Sequence, residues 1–120
     1  MPTVANYIVL QDTDITLAEA GDVQFDFTAP NLTVSTSLSN RPMLLFKLNP
    51  NADNGRLEIV LNNNVVFAQT FSEGPIRSLN EVLAHGQLLP GTNANRMIVG
   101  NRLSGEFDIS DLSIMYKTDI

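Results

Sequence analysis

His85 is the only side chain in the sequence that ordinarily titrates close to neutral pH. No G-x-S-x-G turn accompanies it and no nucleophile adjoins it, so it reads as a structural group near a helix C-terminus rather than as a catalytic base. Two carboxylate pairs stand out, Asp12 with Asp14 and Asp108 with Asp111. Such a pair can cleave a glycosidic bond only if the two groups face each other across roughly 5–10 Å of a cleft. Within turn-like surroundings they read as solvated carboxylates. The run Asn51-Ala52-Asp53-Asn54-Gly55 has the oxygen-rich look of a calcium loop but lacks the alternating spacing and distal Glu of an EF-hand, so it reads as a turn. Asparagine occupies thirteen positions. Its amide offers donors and acceptors to sugar hydroxyls, and it is also an ordinary turn former. The loops after Leu48 and around Asn62 concentrate these groups. They single out Asn49, Asn51, Asp53, Asn54, Asn62 and Asn63 as candidate ligand-binding residues.

Composition removes several chemistries. Without cysteine there is no disulfide scaffold, thiolate zinc site or cysteine nucleophile, and one histidine excludes a multi-histidine metal centre within one chain. The net charge is −6, and the seven Lys and Arg residues are scattered. Binding to a nucleic acid needs basic residues gathered on one face, so no nucleic-acid partner is expected. The apolar stretch Tyr7-Ile8-Val9-Leu10 is too short for a signal core or a membrane span. The expectation is a chain that is cytoplasmic, exported without a cleaved signal, or a processed domain with an added Met1, and that does not insert into a membrane. Charged residues make up only 17%, below the roughly 25% of ordinary soluble domains.

The carrying elements are strands, because the dominant hydrophobic period is two. Val23, Phe25 and Phe27 alternate with Gln24 and Asp26, and Leu32, Val34 and Leu38 continue a similar pattern. Pro42 to Leu48 is nearly all apolar, as in a central strand covered on both sides. Arg56 to Leu61 and Val65 to Phe71 flank Asn62-Asn63-Asn64 and read as a hairpin, since Asn tolerates the positive φ of tight turns. Ser78-Leu79-Asn80-Glu81 has capping-box spacing and predicts one short helix over 78–85, stopped at Gly86. Leu88 to Asn93 reads as a strand end and a turn, Met97 to Val99 as a short strand, and Gly100 to Gly105 as another turn. In the last strand Phe107 and Ile109 fall out of phase with Leu112, Ile114 and Tyr116. Either a β-bulge near Ser110-Asp111 restores the phase or two strands meet there. Eight or nine short strands in 120 residues fit a single domain, 1–120, built as an all-β antiparallel sandwich.

Three segments resemble a galactose-binding-domain-like jelly roll, the fold of many carbohydrate-binding modules: Leu57 to Asn64 (LEIVLNNN), Gln87 to Asn93 (QLLPGTN) and Phe107 to Tyr116 (FDISDLSIMY). The resemblance covers the second half of the chain only. It implies a sugar-binding sandwich, and in many members a structural calcium ion, for which Asp108 and Asp111 are the candidate ligands. Asp53 and Glu19 are further oxygen donors. Members that bind sugar stack the ring on Trp or Tyr. Here Trp is absent, and of the tyrosines, Tyr7 and Tyr116, the latter belongs to a core face. The expectation is a non-catalytic module for carbohydrate or another cell-surface ligand, with no cofactor other than calcium. The alternative is a homo-oligomeric structural subunit of a phage-, capsid- or fibre-like assembly, docking on a protein surface.

Overall fold

The computed structural model describes residues 3–33 and 37–119. Nine strands are present among them: β1 (Thr3–Gln11), β2 (Ile15–Leu17), β3 (Asp22–Ala29), β4 (Met43–Pro50), β5 (Gly55–Leu61), β6 (Asn64–Phe71), β7 (Arg77–Val82), β8 (Gly91–Asn101) and β9 (Phe107–Asp119). They form two antiparallel sheets, one ordered β1-β9-β4-β7 with β2 also on β9, the other β3-β8-β5-β6. Pairing is nested along the chain. β5 pairs with β6, β4 with β7, β3 with β8, and β1 and β2 with β9. This is a jelly roll: one long hairpin, with its tip at Asn62-Asn63, rolled so that successive pairs fall in alternate sheets.

Alternation places the core between the sheets. β5 turns Leu57, Ile59 and Leu61 inward, β4 turns Leu44, Phe46 and Leu48 inward, and Met97 and Val99 of β8 meet them. Phe67 stands edge-on to Phe46 with ring centroids 5.2 Å apart. The hairpin at Asn62-Asn63 is as expected, with φ of 49° and 68° at the two residues, the all-positive signature of a turn that matches strand twist.

β9 contains the bulge. Leu45 pairs with Ser113 and Lys47 with Ser110, so Phe46 alone faces Asp111 and Leu112. Asp111 takes a φ of 50°, and Phe107, Ile109, Leu112, Ile114 and Tyr116 all end up buried. On the outer face the Asp111 carboxylate accepts Lys47 Nζ at 2.8 Å.

Several sequence expectations are corrected. The helix over 78–85 is absent. Residues 77–82 form β7, paired with β4 from Met43↔Val82 to Leu48↔Arg77. A helix of about two turns is marginal alone, whereas β4 offers a complete ladder of backbone partners. His85 therefore sits in an exposed loop rather than at a helix end. β8 is much longer than Met97 to Val99, since it starts at Gly91. β4 is central, but only one of its faces is fully buried; Met43 and Leu45 are half-buried on the other. Leu32 makes an isolated bridge to Thr118, and Leu38–Asn40 is a 3-10 turn rather than a strand. Val34 lies outside the described residues. Among the described residues no helix is long and apolar enough to cross a membrane.

Tyr116 is 1% exposed; its hydroxyl donates to the Pro30 carbonyl and accepts from Asn6 Nδ2, both at 3.1 Å. Burial pushes its phenol above the ordinary value, partly opposed by the Asn6 hydrogen bond. The folded state thus favours the protonated phenol. That contribution is complete below the usual tyrosine value of about 10 and is lost as pH rises through the higher folded one. Denaturation midpoints measured at pH 8 and pH 11 will show an alkaline loss of stability that shrinks in Tyr116→Phe, itself about 1–2 kcal/mol less stable at pH 8. Deleting Asp111 puts Phe107, Ile109, Leu112, Ile114 and Tyr116 into one unbroken alternation that needs no bulge, so thermal unfolding of the shortened chain will stay cooperative. Leu112→Ala also keeps the fold and costs about 2–5 kcal/mol.

Candidate functional site

The hairpin tip is locked to the β8 side of the sandwich by two asparagines. Asn62 donates from Nδ2 to the Gln87 carbonyl and to Asn95 Oδ1, each at 2.8 Å, and its Oδ1 accepts the Arg96 backbone N–H at 2.9 Å. Asn95 is fully buried. Its Oδ1 also accepts the Leu89 N–H at 2.8 Å, and its Nδ2 donates to the Leu89 carbonyl at 3.1 Å. Each amide is thus largely used within the fold, as buried polar groups require. Asn62, predicted as a ligand-binding residue, is a structural clamp.

Beside this clamp lies a groove of about 520 Å³ on the outer face of the β3-β8-β5-β6 sheet. Its floor holds the half-buried Val60 and Ile98, and its rim holds Asn63, Asn64, Asp26 and Arg96. Asp26 is held by Arg96 Nε at 3.3 Å and by Gln24 Nε2 at 3.1 Å. Asn64 donates to the Asn62 carbonyl. The Asn63 side chain is exposed on the turn and makes no hydrogen bond among the described residues. No aromatic side chain lines the groove. It can therefore offer hydroxyl-bearing ligands hydrogen-bond donors and acceptors over an aliphatic floor, without a stacking platform.

The remaining predicted ligand residues stand elsewhere. Asn49, Asn51, Asp53 and Asn54 gather at the opposite end of β5, whose seven residues at about 3.3 Å each separate the two groups by roughly 20 Å. There the polar groups close loops. Asp53 Oδ1 accepts the Glu73 N–H at 2.8 Å, the Asn51 N–H donates to the Glu106 carbonyl at 3.0 Å, and Asn54 takes a φ of 66°. Asn49 pairs with Asp108 across the β4–β9 ladder. A Cβ on Gly105 would fall 2.4 Å from backbone atoms of Asp53 and Gly55, so only glycine allows these loops to close. Asn101, fully buried and not singled out from sequence, joins this end. Its Oδ1 accepts the Arg56 and Leu103 N–H groups, and its Nδ2 donates to Leu17 and Gly105 carbonyls. Only its place beside a turn gave any sequence signal.

The two predicted calcium ligands lie on the outer face of β9, each with a partner. Asp108 Oδ1 accepts the Thr16 hydroxyl at 2.6 Å, and Asp111 pairs with Lys47. Among the described residues no three His, Asp or Glu side chains group so as to hold a metal ion. Asp12 and Asp14 are exposed between β1 and β2, away from the groove.

Two antiparallel sheets with nested pairing define a jelly-roll β-sandwich. No protein-family model and no curated protein sequence matches the chain. Solved structures do. The CBM36-1 domain of a multidomain xylanase from the hindgut metagenome of Trinervitermes trinervoides superposes with a TM-score of 0.62 at 9% identity, over 98% of this chain and 100% of that one. The C-terminal CBM6 of LamC from Zobellia galactanivorans gives 0.52 at 9% identity, over 94% and 99%. Dimeric latent PorU from Porphyromonas gingivalis gives 0.67 at 10% identity over 99% of this chain, which spans only 13% of PorU. At such identities the likeness is one of fold. It runs over the whole chain, which corrects the expectation that it is confined to the second half.

The clamp and the rim make separable predictions. Asn62→Ala leaves Asn95 and the Arg96 N–H short of partners and will cost about 1–3 kcal/mol in chemical denaturation. Asn63→Gly keeps the positive φ of the turn and will change stability by no more than about 0.5 kcal/mol.

Proposed function

We propose that this chain is a non-catalytic carbohydrate-binding module whose glycan rests in the groove beside the Asn62-Asn63 turn. The observation that carries the reading is that groove: an aliphatic floor of Val60 and Ile98 for the C–H face of a sugar, rimmed by the free Asn63 amide and the Asp26–Arg96 pair for its hydroxyls. The sandwich shared with two carbohydrate-binding modules over nearly their full length supports it. Without an aromatic platform, affinity rests on hydrogen bonds to polar groups that water also satisfies. Binding is therefore weak, and selectivity comes from hydroxyl geometry.

A second reading, a homo-oligomeric assembly subunit, draws on β1. This nine-residue strand forms one edge of its sheet, contains no charged residue, and exposes Tyr7 at 59% and Val9 at 62%. Uncharged edges are templates for pairing with another chain.

A glycan array followed by calorimetry, run with calcium and with chelator, tests the first reading. At least one glycan class will bind, and the Asn63→Gly, Arg96→Ala double variant will weaken it about 10-fold, the worth of one or two hydrogen bonds. No binding at high protein concentration in either condition sinks the reading. Sedimentation over a wide concentration range tests the second. A monomer throughout ends it, and self-association that Val9→Lys abolishes supports it.

A further inference from the structure

A second cavity, of about 250 Å³, opens between the segment ending at Pro42 and the loop that follows β7. It adjoins the groove, since Gly86 and Leu89 line both. Its surface combines apolar Leu32, Leu88 and Pro90 with the polar Thr33 and Asn40, and two nitrogen-bearing side chains, Arg41 and His85. The backbone builds this arrangement deliberately. The Leu83 N–H donates to the Pro42 carbonyl at 2.8 Å and ties the two segments together. The Ala84 N–H donates to Gln87 Oε1 at 2.7 Å, the Gln87 N–H returns to the Ala84 carbonyl, and Gly86 takes a φ of 83°. This tight turn presents His85 at the cavity.

Arg41 is anomalous. Its Nε is buried without a hydrogen-bond partner, alone in this among the described side-chain nitrogens and oxygens. A guanidinium hydrogen left unpaired out of water is costly. Arg96 and Arg102 are paired with carboxylates, whereas Arg41 has no ion-pair partner among the described residues. Among the described residues no Asp or Glu lines the cavity, in a chain whose net charge is −6. A recess that holds Arg41 with no carboxylate among its described lining residues, inside an acidic protein, fits a ligand that brings its own.

We propose that this cavity binds the carboxylate of a hexuronate residue in an acidic polysaccharide. The guanidinium of Arg41 takes the carboxylate through its two terminal nitrogens, an end-on fork that its planar geometry favours. His85 adds a further nitrogen, Thr33 and Asn40 meet ring hydroxyls, and the leucine and proline surface meets the sugar's C–H face. The cavity is smaller than the roughly 300–1,000 Å³ of drug-sized pockets, which suits one sugar residue or a chain end. The inference rests on the carbohydrate-binding reading and adds to it a ligand class and a second subsite.

Calorimetry with a panel of oligogalacturonates, oligoglucuronates and alginate fragments tests it, each set against its methyl-esterified form. Esterification removes the charge and adds one methyl group, and leaves the ring hydroxyls unchanged. The acid forms will bind at least about 10-fold more tightly than their esters, Arg41→Gln will erase that difference, and Arg41→Lys will restore part of it. Thermal midpoints check that the variants fold. Should Arg41→Gln fail to fold, the acid-to-ester ratio of the unaltered protein and the Arg41→Lys variant decide. Equal binding of acids and esters overturns the uronate site while leaving the carbohydrate reading intact. Binding of uronates with no neutral glycan recognised anywhere on the array removes the groove and retains this site. No binding to any uronate, or tighter binding to an oligo-glutamate peptide than to every uronate, overturns the proposal.

Discussion

The register of β9 is the constraint on which the rest of the sandwich depends. This strand pairs with β1, β2 and β4 and supplies Phe107, Ile109, Leu112, Ile114 and Tyr116 to the core. Side chains alternate strictly along a strand, so a regular β9 would send either the first two or the last three of these into solvent. The extra residue at Asp111 removes the conflict, with a backbone conformation of φ 50° that a non-glycine residue adopts reluctantly. Burial of the three residues beyond the bulge, each worth some kcal/mol, outweighs that local strain.

The low charge of the chain has a structural explanation in its asparagines. Asn62 and Asn95 close one end of the sandwich, and Asn101 closes the other. Neutral amides donate and accept at once, so one side chain satisfies several loop N–H and carbonyl groups without the desolvation cost of burying an ion. The groove and the Arg41 cavity both stand at the end that Asn62 and Asn95 tie together.

The two sites differ in how they are prepared for a ligand. In the groove the Asp26–Arg96 pair is already formed, so a bound hydroxyl competes with an existing contact and gains little. At Arg41 no ion pair is formed among the described residues, so an incoming carboxylate would displace no protein carboxylate. Under the proposed reading, charge would set the preference at the cavity and hydroxyl geometry the preference at the groove. The fold alone carries neither property, because one sandwich hosts many functions.

The sequence by itself determined the all-β class, the Asn62-Asn63 hairpin, the burial of Tyr116 and the phase slip in β9. These are local facts: a period of two, a turn chemistry tolerant of positive φ, and a count of residues between apolar positions. Tertiary structure decided what depended on non-local partners. Residues 77–82 carry a helix-capping pattern yet form β7, because the open edge of β4 offers more hydrogen bonds than a two-turn helix could keep. Asn62 looked like a binding residue and is a clamp, because Asn95, Gln87 and Arg96 converge on it from the far side of the chain. The six candidate polar residues share a composition but fall at opposite ends of the sandwich, since β5 runs between them. Arg41 gave no signal at all in the sequence. Its distinction is a missing partner, and only packing brings it to one cavity with His85 and with no carboxylate among the described lining residues.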